Sequence, residues 1–221
     1  MAPGRTLHDL LALPPTVRAP FTPQGLRMSA TTWATSLRDG DIVEVRPGFA
    51  VVPGTPITAR LRAWSIAADV PRGVVVGRAS AAWVHTGYGP PKRVCVLYSP
   101  GGYRPRDMRR LEICQATVRT WERDNFATGD TGTDEAPRTI PVTTVVRTAM
   151  DVATWSDHEQ SATLLTHLVA AGLDVDEALH RLDLVASWRG AETARTRLLA
   201  VRRATGAARQ ALASAFEPVI R

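Results

Sequence analysis

The sequence predicts an α+β fold: an N-terminal winged helix-turn-helix over residues 1–54, followed by a mixed α/β domain over residues 55–221 with a helical C-terminal tail. Three observations lead there. Residues 22–54, TPQGLRMSATTWATSLRDGDIVEVRPGFAVVPG, hold two short helix signals and a two-stranded ribbon. After the Pro-Gly-Thr-Pro break at 53–56, short β-branched runs alternate with helical periodicities. From Thr143 onward only helical patterns remain.

Within the first unit, Thr6–Leu13 reads as a brief helix with Leu7, Leu10 and Leu11 on its buried side, ended by Pro14-Pro15. Thr22 can cap a short helix over Pro23–Arg27, with proline at the first position where a missing N–H costs nothing. Ser29 can cap a second helix that Gly40 stops. The 3.6-residue period puts Ala30, Trp33, Ala34 and Leu37 on one face, leaving Thr31, Thr32, Thr35 and Arg38 on the other. Ile42 to Val45 and Phe49 to Val52 then supply two strands around the turn Arg46-Pro47-Gly48, the expected wing. In such a module the second helix enters the major groove. Ser29, Thr31, Thr32, Thr35 and Arg38 are therefore expected to meet base edges or phosphates, and Arg46 the backbone or minor groove. The same layout also serves as a protein-docking module.

In the second domain, Thr58–Asp69, Arg78–Thr86, Thr144–Thr154, His158–Ala171, Asp174–Trp188 and Glu192–Phe216 carry helix patterns. Val74-Val75-Val76, Arg93–Tyr98 and Arg110–Val118 read as strands, the last two as a hairpin around an arginine-bearing tip. The acidic, Gly-containing run Glu122–Arg138 reads as a mobile surface loop.

The chain has 221 residues and a net charge of +6, which suits a polyanionic partner. Its distribution is uneven. Residues 60–120 carry 11 Arg/Lys against 3 Asp/Glu, and residues 121–180 carry 3 against 11. Residues 1–59 carry 5 against 4, so duplex attraction must draw on other regions or a second subunit. No apolar run reaches the length of a membrane span and the N-terminus lacks a signal-peptide pattern, so a cytoplasmic protein without a membrane partner is expected. Cys95 and Cys114 are expected as free buried thiols that could face each other across strands.

The order of three motifs resembles the actinobacterial branch of the AbiEi-type antitoxin family. These are RPGFAVVPG at the wing end, GRASAAWVHTG at a strand-to-helix junction, and PVTTVVRTAMDVA, similar to that family's Thr-Thr-x-x-Arg-Thr-x-x-Asp helix start. The likeness spans residues 20–205. It implies an N-terminal domain that binds double-stranded DNA and represses its own operon, and a C-terminal domain that contacts a nucleotidyltransferase-like toxin. Separately, the low charge of the first unit leads us to expect a homodimer or repeated copies on an inverted or direct repeat. Gly77-Arg78 stands where that family often has Ser-His, so no role of that histidine carries over. SAFEPVIR at 214–221 is similar to the opening of a nuclease-like domain, with Glu217 at a carboxylate position but without its later partners; no nuclease activity is expected.

Other candidates for chemistry have structural explanations. Arg147 and Asp151 stand at i and i+4 behind a Thr144 cap, an ion-paired helix start whose arginine alternatively contacts an anion or a toxin. Arg195 and Arg202 belong to a basic helix face, either solvated or partner-binding. No two of the five histidines have metal-ligand spacing, His85 reads as a helix-end or core residue, and Asp174 with Glu177 reads as a capped helix start. No catalytic residue, metal or cofactor is expected.

Overall fold

A computed structural model of the chain describes residues 20–106, 109–129, 138–185 and 188–215. They form an α+β structure with seven α-helices, a two-stranded ribbon and a five-stranded mixed sheet. The expected helix at Thr6–Leu13 lies outside the described residues. Pro23–Arg27 is a turn rather than a helix. Leu26 N–H donates to the Thr22 carbonyl at 3.1 Å and Met28 N–H to that of Pro23 at 2.8 Å, while Arg27 at φ 54° takes the chain out of helical geometry.

Helix α1, Ala30–Asp39, begins at Ser29 and ends at Gly40, whose φ of 81° supplies the left-handed C-cap. Strands β1 (Val43–Arg46) and β2 (Phe49–Val51) pair antiparallel around Pro47-Gly48, and Phe21 bridges to Ala50. The ribbon is apolar on both sides. Trp33, Ile42 and Ala50 form one core with Phe21, Met28 and Leu37, whereas Val45 and Val51 join the main core with Leu61, Ile66, Val76 and Trp83. The main core thus runs through the boundary expected at residue 55.

Helix α2, Ala59–Ser65, is capped by Thr58 and stops short of the expected Asp69. Strand β3 (Val75–Val76) leads into α3 (Arg78–Thr86), then β4 (Val94–Tyr98), β5 (Leu111–Gln115), a 3₁₀ turn at Thr120–Glu122, β6 (Arg123–Thr128) and β7 (Arg138–Thr143). The sheet order is β5-β4-β3-β7-β6. Two expectations fail here. β4 and β5 are parallel, so the arginine-bearing segment between them is a crossover and not a hairpin tip. The acidic run opens with strand β6, antiparallel to β7 on the sheet's edge, where polar residues on both faces are tolerated; residues 130–137 of the expected loop lie outside the described residues.

The remaining helices are α4 (Val145–Trp155), α5 (His158–Ala170), α6 (Val175–Leu184) and α7 (Ala191–Ala215). Thr144, Asp157 and Asp174 cap the first three through their side-chain oxygens. α4 packs against α3, α5, α6 and α7, and its Met150 and Val152 share a second core with Leu165, Leu168 and Leu198. α3 joins the two cores, sending Trp83 toward the sheet and Ala82 toward the helices. Among the described residues no helix is long and apolar enough to cross a membrane.

Candidate nucleic-acid interface

The Ser29 hydroxyl starts α1 by accepting the Thr32 N–H at 3.0 Å, and it lies 2.8 Å from the Thr32 hydroxyl. Both groups therefore have local partners. Trp33 and Ser36 are buried and Leu37 is half-buried, so the inward stripe is 33, 36 and 37. Ala30 and Ala34, expected inside, are exposed. Trp33 sets this orientation because its ring packs edge-on against Phe21 at 6.1 Å, and burying it removes far more apolar area from water than burying either alanine. Thr31, Thr32 and Arg38 are exposed and Thr35 is half-buried. The free face of α1 is consequently small and hydroxyl-bearing, with one cation at its C-terminal end.

Arg38 is 73% exposed and donates from Nε to the neighbouring Asp39 carboxylate at 2.9 Å. Such an exposed pair is worth ~0–1 kcal/mol and competes weakly with other anions. Arg46 is placed quite differently. Its side chain is 11% exposed, with Nη2 2.6 Å from the Asp69 carboxylate and Nε and Nη2 donating to the Ser65 carbonyl at 3.1 and 2.7 Å. The guanidinium also lies over the Phe49 ring. This departs from the expected phosphate contact: the chain crosses from the ribbon to α2 beside the partly buried Asp69 carboxylate, and Arg46 neutralises it. Asp69 also pairs with Arg110 at 3.3 Å.

The three candidate partner contacts are likewise engaged within the molecule. Arg147 is buried, 3.0 Å from Glu122 and 3.3 Å from Asp151, donates to the Thr117 carbonyl at 3.0 Å, and stacks on Trp188. It joins α4 to the 3₁₀ turn and also lines the adjoining cavity. Burial pushes the Asp151 carboxyl up to about 6, against the opposing pull of Arg147. Arg195 pairs with Asp183 at 2.5 Å and Arg202 with Asp176 at 2.9 Å, tying α7 to α6; both keep substantial exposure.

Around the buried triad opens a cavity of about 440 Å³, lined by Arg78, Arg119 and Arg189 with Trp155 and Trp188. Arg78 stands at φ 52° and its guanidinium lies over Trp155 at 4.9 Å. These residues come from four separate segments, so no local motif signals the cavity. Glu122 was hidden for a similar reason, because it opens an acidic run that otherwise reads as loop.

His85 is a half-buried helix-end residue, with Nε2 2.7 Å from the Thr143 carbonyl, and desolvation holds its pKa below the usual value. Pro100-Gly101-Gly102 forms a turn closed by the Gly102 N–H to the Ser99 carbonyl at 2.9 Å.

No family model matches the chain, and no curated protein matches it. Among solved structures, the chain is similar to the RV2827C protein from Mycobacterium tuberculosis, at 18% identity and a TM-score of 0.41, over 82% of this chain and 71% of that one. At that level the likeness carries neither fold nor function to this protein.

Proposed function

We propose that the protein is a non-enzymatic, DNA-binding transcriptional regulator, in which α1 and the ribbon behind it act as a winged helix-turn-helix. The observation that supports this reading is the free face of α1. Ala30, Thr31, Ala34 and Arg38 are exposed while Trp33 fastens the helix to the ribbon, so a rigid helix offers short side chains to a partner surface. Alanine and threonine permit close approach to base edges, and threonine donates or accepts hydrogen bonds and contacts thymine methyls. Thr31 and Thr35 set sequence preference, and Arg38 contacts phosphate.

Charge decides how the complex is built. Residues 20–54 carry Arg27, Arg38 and Arg46 against Asp39, Asp41 and Glu44, and Arg46 is already paired within the fold. One copy therefore neutralises few phosphates. Binding by two copies on a repeated site raises that number and is part of the proposal.

The motif resemblance adds the partner: as an AbiEi-like antitoxin, the protein represses its own operon and binds a nucleotidyltransferase-like toxin through the α/β domain. Arg202, exposed, and Arg195, half-exposed, are the candidates on that domain for such a surface contact, with Arg147 reachable only through its cavity. Titration of the full chain with the duplex upstream of its own coding sequence tests the DNA reading, with a scrambled duplex of equal length as control. Preferential binding to the upstream duplex supports the proposal, and equal, salt-sensitive binding to both removes it. Co-purification with a nucleotidyltransferase encoded alongside tests the toxin arm separately.

A further inference from the structure

The parallel pairing of β4 with β5 has a chemical result that neither strand shows alone. Cys95 stands opposite Glu112 and Leu97 opposite Cys114. Side chains alternate along a strand, so Cys95, Glu112 and Cys114 share one face of the sheet. Cys95 is buried, Cys114 half-buried and Glu112 exposed, which grades the group from the interior to solvent. The Cys95 and Cys114 sulfurs are 4.0 Å apart, and Cys114 Sγ is 3.7 Å from Glu112 Oε1. All three ligand atoms lie within 4.8 Å of one another.

The sulfur–sulfur and Cys114–Glu112 separations are close to the edges of a metal tetrahedron. With Zn–S near 2.3 Å and Zn–O near 2.1 Å, tetrahedral geometry sets S···S at about 3.8 Å and S···O at about 3.6 Å. The geometry points to a site for a soft divalent cation of the Zn²⁺ class, bound by Cys95, Cys114 and Glu112 with the fourth position open to solvent.

A disulfide is the competing use of two close thiols, and strand geometry opposes it. The cysteines sit diagonally, offset by two residues on adjacent strands. With ~4.8 Å between strands and ~6.6 Å along two residues, their Cα atoms are about 8 Å apart, beyond the ~7 Å that a disulfide spans without backbone movement. A cation bridges this diagonal because it adds two bonds of about 2.3 Å between the sulfurs. Charge also balances. Two thiolates and a carboxylate around a divalent cation leave one negative charge, and Arg78 Nη1, 3.5 Å from Glu112 Oε1, stands where an outer partner of that carboxylate neutralises it. The Ser80 hydroxyl accepts the Cys95 backbone N–H at 2.8 Å, holding the deepest ligand's strand against α3.

The site is independent of DNA binding, and its test uses the full chain, reduced and handled without oxygen. Co²⁺ is titrated in, and thiolate-to-cobalt charge-transfer absorption and bound stoichiometry are followed. One Co²⁺ per chain with that absorption, displaced by Zn²⁺, is the expected result. Cys114→Ser and Cys95→Ser each abolish the thiolate band, and Glu112→Gln weakens affinity by ~10-fold or more, at least the loss caused by removing an outer partner. Cys114 is half-buried, so its serine variant keeps the fold, checked by circular dichroism without metal. Absence of the band in a fully reduced chain overturns the proposal, as does a band retained in the Cys95→Ser, Cys114→Ser double variant. A mass lower by two hydrogen atoms on treatment with a mild thiol oxidant, which takes up the two electrons and two protons, with both thiols lost together, overturns the proposal in favour of a disulfide.

Discussion

Arginine 38 and arginine 46 share a residue type and a neighbourhood, yet their surroundings give them opposite work. Arg38 spends its charge in water beside Asp39, so its guanidinium is open to a phosphate. Arg46 is enclosed against Asp69 and a backbone carbonyl. Arg38→Ala is expected to weaken DNA binding on every sequence and reduce the slope of log affinity against log salt by about one, with the melting temperature unchanged. Arg46→Ala is expected to do the reverse, removing about 1–3 kcal/mol of stability because the partly buried Asp69 keeps only the more distant Arg110, while the salt slope stays as in wild type. Denaturant unfolding and salt-dependent anisotropy separate the two effects. Asp151 supplies a pH signature. Its folded-state pKa, about 6, lies above the ordinary 3.8, so the native state holds a proton that the unfolded state has released. Its contribution to stability is therefore present below about pH 4 and is lost as pH rises toward 6, on the order of 3 kcal/mol. Asp151→Asn is expected to lack that fall, and unfolding curves of the two proteins between pH 4 and 7 measure it.

At the scale of elements, most helices were legible because their caps are written locally. Ser29, Thr144, Asp157 and Asp174 each accept a backbone N–H at a helix start, and Gly40 closes α1 with a backbone angle that other residues rarely adopt. Ser29→Ala is expected to cost ~1 kcal/mol and, because the cap orders the first turn carrying Thr31 and Thr32, to weaken DNA binding without changing sequence preference. Circular dichroism melting and binding to two different duplexes check this. What periodicity cannot supply is the partner of a strand. β4 and β5 have correctly apolar patterns, but alternation reveals which face is inward and not the direction of the neighbour, so a short connection was read as a hairpin. The parallel register, and with it the Cys95, Glu112 and Cys114 cluster, is decided by β4's place between β3 and β5. The same limit applied to α1. Ala30 and Ala34 fit an inward stripe by spacing, and only the contact between Trp33 and Phe21 shows that the helix turns them outward.

For the whole molecule, the decisive feature is that the ribbon belongs to two cores at once. Its Trp33-side residues hold α1, and Val45 and Val51 sit with Leu61 and Ile66 in the core of the α/β part. Arg46 and Asp69 tie the same junction by charge. Composition and the Pro-Gly break suggested a boundary near residue 55, but a break in periodicity does not reveal whether the flanking parts bury surface against each other, and here they share a core. A rigid joint means that α1 is held at a fixed angle to the sheet. Leu61→Ala, which removes a fully buried side chain at this joint, is expected to cost about 2–5 kcal/mol and to lower one cooperative transition that includes α1. Calorimetry, together with Trp33 fluorescence in a variant lacking the other tryptophans, tests it; two separate transitions would mean independent domains.

The central claim is that the free face of α1 reads DNA sequence, and the most direct measurement is the ratio of affinities for the upstream duplex and a scrambled duplex at one physiological salt concentration. The wild-type chain is predicted to prefer its upstream site by about 10³-fold or more, and a Thr31→Ala, Thr35→Ala variant with unchanged melting temperature to lose most of that preference while keeping its affinity for the scrambled duplex. A ratio near one for the wild type, or an unchanged preference in the variant, would contradict the account.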